Sequence, residues 1–86
     1  MPTIRELDLA VASISSGSGR LSSEANASGK HLNGQAQRIA YLGNGSQTAM
    51  QAARAVDSAG QSMLEASIAM DMLVTACKDY QKVLRQ

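Results

Sequence analysis

The sequence predicts an all-α protein, two long amphipathic helices folded into an antiparallel helical hairpin that pairs with further helices into a four-helix bundle. Three observations carry that prediction. Apolar residues recur at alternating three- and four-residue steps on both sides of a central Gly-Asn-Gly segment. That segment, Tyr41-Leu42-Gly43-Asn44-Gly45, has the residues that end one helix and reverse the chain. The third is a thin apolar content: 44% of the residues are hydrophobic, yet there is no Phe, no Trp and only two Tyr, and much of the count is Ala. A chain of 86 residues buries only about 60% of the surface that its unfolded form exposes. A core of small residues at that size calls for a staple, a metal or a partner.

The first helix is expected over about residues 3–39. Thr3-Ile4-Arg5-Glu6 fits a capping box, in which the threonine hydroxyl accepts from a free backbone N–H. From there Ile4, Leu7, Val11, Ile14, Ser18, Leu21, Ala25, Ser28, Leu32, Gln35 and Ile39 form a seam, with eight of the eleven apolar. Gly17, Gly19, Gly29 and Gly34 each weaken a helix by roughly 1 kcal/mol relative to Ala, and the serines between them compete for backbone hydrogen bonds. Propensity alone would make residues 15–35 a loop; the spacing, which survives across the glycines, makes them helix.

The turn is placed at 40–45, with Ser46 at the N-cap position of a second helix over about 46–85. Ala49, Val56, Met63, Met70, Cys77 and Leu84 recur every seven residues, and Ala52, Ala59, Ala66, Leu73 and Tyr80 follow three residues after each of the first five. These two seams are expected to pack on each other, small residues beside the turn and larger ones at the open end. A further apolar line, Leu64, Ile68, Met72, Ala76 and Val83, lies elsewhere on the second helix. It reads either as one broad core face or as a surface for another protein. The first helix covers one stripe and not two, which favours the second reading. The expected partner interface is Met63, Leu64, Ile68, Met70, Met72 and Leu73, where unbranched methionines suit an irregular helical surface.

No constellation of catalytic, cofactor-binding or metal-ligating residues emerges. Cys77 is a lone cysteine on a seam, which suits a small buried hydrophobe better than a reactive thiol. His31 is the one histidine and lies in a polar, glycine-rich stretch. Gly43-Asn44-Gly45-Ser46 resembles a phosphate-cradling turn but lacks the preceding strand and the Gly-Lys-Ser/Thr ending. A net charge of +1, with eight basic and seven acidic residues interspersed, argues against a nucleic-acid footprint. No apolar run approaches the roughly 20 residues that span a bilayer, and the residues after Met1 lack the apolar core of a secretory signal peptide. Export, if it occurs, is expected from the cytoplasm and without a cleaved signal.

Two amphipathic helices around a central Tyr41-Leu42-Gly43 resemble the WXG100, or ESAT-6-like, family of type VII secretion, whose turn carries Trp-x-Gly. The resemblance implies a small helical protein-binding subunit: a secreted protein, or a targeting partner for an exported effector of the LXG type. It has two departures. Tyr41 stands for the tryptophan. The family's tail signal, Tyr-x-x-x-Asp/Glu, would begin at Tyr80, but its acidic position is Leu84. In the family that signal is made by a dimer, so the resemblance implies that a partner supplies the acidic residue. The partner is another helical protein, a small subunit or an effector's N-terminal domain, or a second copy. Without the resemblance, Tyr41 is a turn aromatic and Tyr80 an ordinary seam residue. Two other readings fit a short hairpin: a self-assembling structural subunit like a type III needle or inner-rod protein, and a cytosolic helical adaptor.

Overall fold

A computed structural model describes residues 3–86. It contains two helices, α1 (Ile4–Leu42) and α2 (Gln47–Leu84), packed as an antiparallel hairpin. The hairpin measures 62 × 19 × 13 Å, two helices wide and one helix thick.

Both helix starts follow from their caps. Thr3 Oγ1 accepts from Glu6 N at 3.1 Å, and Ser46 Oγ accepts from Ala49 N at 3.2 Å. α1 continues three residues past its expected end, so Tyr41 and Leu42 belong to its last turn and the reversal is confined to Gly43–Ser46. Gly43 N donates to Ile39 O and Ser46 N donates to Gly43 O, each at 2.8 Å. Among the described residues only Gly45 takes a positive φ, +89°, the left-handed conformation that favours glycine. Gly43 has an ordinary φ of −97° and is required for space instead, since a Cβ there would overlap the Cβ of Ala49.

α1 is unbroken across the serines and glycines of residues 15–35. Packing overrides propensity here, because Ser18, Ser22, Ala25 and Gly29 are buried against α2.

The seam itself differs from the expected one by a single residue, in the same way in both helices. With Ile4 and Ala49 set at heptad position a, the a residues do line the helix–helix contact. The second line is not the residues three further on (position d) but those four further on (position e). Ser22, Gly29 and Ala36 in α1, with Ala53, Gly60 and Ser67 in α2, are buried. By contrast Ile14, Leu21, Leu73 and Tyr80 at position d are 44–51% exposed. Size is the cause. The e residues are Ser, Gly and Ala through the middle of the hairpin, and small residues let the backbones approach.

The approach is closest at Gly29 and Gly60. A Cβ on Gly29 would lie 2.9 Å from the Gly60 carbonyl oxygen, and one on Gly60 would lie 3.0 Å from that of Gly29. The closest backbone approach is therefore mid-hairpin as well as beside the turn. Leu64 lies over Gly29, and the side chain of Asn33 occupies the space beside Gly60. One layer towards the open end, Ser22 Oγ lies 2.5 Å from Asp71 Oδ1, 3.0 Å from the Ser67 carbonyl and 3.1 Å from Ser67 Oγ. Ser22 has one proton, and the Asp71 carboxylate is the stronger acceptor for it. Asp71 therefore ties α2 to α1. Arg85 likewise reaches Asp8 at 3.6 Å across the open end, a pair whose arginine is largely exposed and contributes little.

Replacing Gly29 with Ala should destabilise the fold by about 1–3 kcal/mol through overpacking against Gly60. Gly34→Ala, where an added Cβ meets nothing within 4 Å, should stabilise it by roughly 0.5–1 kcal/mol. Thermal melts followed by circular dichroism check both, and equal shifts would contradict the close approach. Ser22→Ala should lower stability by about 1 kcal/mol in a urea titration; no change would mean that the link between Ser22 and Asp71 is not formed in solution.

Candidate protein-docking face

A helix pair that meets through positions a and e turns its two sides to opposite surroundings. In antiparallel helices equivalent heptad positions point to the same side of the plane containing both axes. Positions b, e and f of both helices line the grooves on one side, where Ser22, Ser23 and Asn26 of α1 meet Leu64, Ser67 and Ile68 of α2. Ala36, Gln37 and Ala40 meet Met50, Ala53 and Arg54 on that same side nearer the turn. Positions d and g, flanked by a, form the other side.

The two sides differ in chemistry. Along α2 no Asp, Glu, Lys or Arg occupies a, d or g from Ala49 to Leu84, and every charge of the helix falls at b, c or f. Along α1 those same three positions are free of charge from Ile4 to Leu21, with Glu24 and Arg38 appearing only at the rim nearer the turn. One side of the hairpin is polar and grooved, and carries the Ser22–Asp71 link. The other is apolar along α2 and along the open-end half of α1, where Ile14, Leu21, Leu73 and Tyr80 are each at least 44% exposed, while nearer the turn α1 adds Ser28, His31 and Gln35 to it.

The hairpin's own core cannot account for these residues. Its buried hydrophobic residues are Ala25, Ala36, Ala53 and Cys77, and no described side chain is fully enclosed. Stable domains stack at least two layers around their core; this one has a single layer.

The six residues expected at a partner interface divide between the two sides. Met63, Met70 and Leu73 lie at positions a and d, on the apolar side. Leu64 covers Gly29 on the polar side, and Ile68 and Met72, 61% and 67% exposed, sit on the polar side and the outer edge of α2. Leu7, Ile14 and Leu21 of α1, and Tyr80, which the spacing predicts in the hairpin seam, lie on the apolar side instead. The signal for them was the three-residue step itself, which marks the broad apolar face and not the narrow contact between the helices.

The turn motif is presented to solvent at the tip, with Tyr41 82% and Leu42 72% exposed, while Gly43 is packed under the first turn of α2. Tyr41 thus does not fold onto the hairpin end. Tyr80 stands at 44% exposure on the apolar face near the open end. Cys77 is buried at the edge of that face and His31 is exposed. Among the described residues no three of His, Cys, Asp and Glu converge as metal ligands, and no helix is long and apolar enough to cross a membrane. Comparison with protein-family models, with curated proteins and with solved structures found no match to this chain.

Proposed function

We propose that the chain is a helical protein-binding subunit whose apolar face is covered by a second helical pair, completing a four-helix bundle. The observation that carries this reading is the uncovered apolar side of a hairpin that lacks a second layer. Burying a large apolar side chain is worth about 1.5–3 kcal/mol, so covering Ile14, Leu21, Leu73 and Tyr80 supplies stabilisation that the small-residue seam does not. The polar, charged side would remain in water. The exposed Tyr41 and Leu42 beside Gly43 at the tip, the hairpin architecture and the docking face together support a place beside the WXG100 proteins. In that setting the chain acts as a secreted subunit or as the targeting partner of a type VII effector, and it needs no cofactor.

The test replaces one residue on each side. A tagged chain recovered from its host should bring down its partner, a second copy or another helical protein, in fixed stoichiometry. Leu73→Asp should reduce that association about a hundredfold or more, the effect of roughly 3 kcal/mol, whereas Ile68→Asp on the polar side should leave it intact. Equal recovery with Leu73→Asp would refute the assignment of the face. For the secretion role, deleting the chain should remove its partner from the culture medium while leaving the partner's synthesis unchanged.

A further inference from the structure

We propose that Asn44 is a self-modification site, converting spontaneously to aspartate and isoaspartate by cyclising onto the backbone nitrogen of Gly45. The proposal concerns the turn alone and does not depend on the docking face.

The chain has three asparagines, and two of them precede a glycine: Asn33-Gly34 and Asn44-Gly45. Cyclisation needs an attacking nitrogen that no side chain crowds, an N–H free of hydrogen bonds, and a backbone able to rotate. At Asn44 the fold supplies all of these. The turn is closed by one hydrogen bond, Ser46 N to Gly43 O, and pairs a negative φ at Asn44 with +89° at Gly45, the pattern of type II. The N–H of Gly45 takes no part in that closure and has no acceptor among the described residues. Asn44 and Gly45 are both exposed, and nothing lies within 4 Å of the place where a Cβ on Gly45 would stand. Asn33 meets none of the backbone conditions. α1 holds the Gly34 N–H against the carbonyl four residues back, and Asn33 Oδ1 is buried beside Gly60. The same dipeptide therefore occurs twice, once in an open turn and once inside a packed helix.

The chemistry balances with water as the only co-reactant. Gly45 N attacks Asn44 Cγ and forms a cyclic imide; the amide nitrogen leaves as ammonia, carrying the proton of the Gly45 N–H. Water then opens the imide at either carbonyl. Opening at Cγ gives aspartate. Opening at the backbone carbonyl gives isoaspartate, in which the chain runs through Cγ and is longer by a methylene. The new carboxylate alters its surroundings, because residues 25–56 hold Lys30, Arg38 and Arg54 but no Asp or Glu. Its single charge lowers the formal net charge from +1 to 0. It stands two residues before Ser46, where the start of α2 favours a negative charge. The hairpin thus survives the change, while the tip that presents Tyr41 and Leu42 acquires charge as the chain ages.

The test incubates the full-length chain in heavy-oxygen water at neutral and at mildly alkaline pH. Peptide mapping with electron-transfer fragmentation then reads the two Asn-Gly sites separately. Asn44 should yield isoaspartate and aspartate that carry heavy oxygen, faster at the higher pH because the attacking nitrogen must lose its proton. It should convert at least about tenfold faster than Asn33, the factor that about 1.4 kcal/mol of local helix opening supplies. In guanidinium chloride that advantage should vanish, and Asn44→Gln, whose ring closure is slow, should leave residue 44 unmodified in the folded chain. Equal rates at the two sites in the folded protein overturn the proposal. So does an intact Asn44 under conditions that convert Asn33 in the unfolded chain, or a product that is aspartate without isoaspartate.

Discussion

Gly29 and Gly60 meet with so little between them that a methyl group on either would run into the other's carbonyl oxygen. That approach fixes the spacing of the two helices, and the spacing decides which side chains can lie between them. At position e serine, glycine and alanine fit through the middle of the hairpin, and the isoleucine, leucines and tyrosine of position d are turned out of the plane. The hairpin is therefore closest at its smallest residues, and the large apolar residues of position d are left on one side. Ser22, Ser67 and Asp71 add a polar tie at one layer of this seam. A buried polar contact of that kind fixes register more effectively than it adds stability.

Much of this could be read from the chain. The helix count, the antiparallel hairpin, both N-caps and the seven-residue line from Ala49 to Leu84 follow from spacing and capping chemistry alone. Hydrophobic periodicity misled at one step. It locates the face with the most apolar area, and in a two-helix protein it is natural to assume that this face is where the helices touch. Here the contact lies about 50° around each helix, among residues that score as weakly apolar or polar. The clue was the repeated small residue at the fourth position, Ser22-Gly29-Ala36 in one helix and Ala53-Gly60-Ser67 in the other. The end of α1 was misplaced for a related reason. In sequence Gly43 reads as a conformational break, whereas it is there because Ala49 leaves no room for a side chain.

The same rotation accounts for the segregation of charge. Charged residues of α2 are confined to positions outside the apolar side, and one of them, Asp71, reaches Ser22 of α1 from the polar side. A hairpin that stayed alone in water would gain nothing from keeping one side so free of charge over the length of a helix. Large uncovered apolar patches mark interaction sites in soluble proteins, and this one is contributed by both helices at once. It belongs to the folded hairpin, since only correct pairing of α1 with α2 assembles it, so an unfolded or misregistered chain would offer a partner a different surface.

The narrowness of the molecule has a consequence of its own. An ordinary compact domain of this length has a radius of gyration of about 12 Å; here it is 19.0 Å, because all of the mass is drawn out along one axis. The backbone fits within a cross-section of 19 by 13 Å. Moving lengthwise, the folded hairpin passes through an opening too tight for a globule of equal mass. It tumbles slowly end over end yet spins quickly about its long axis. Passage through a confined channel would thus ask it to align, not to unfold.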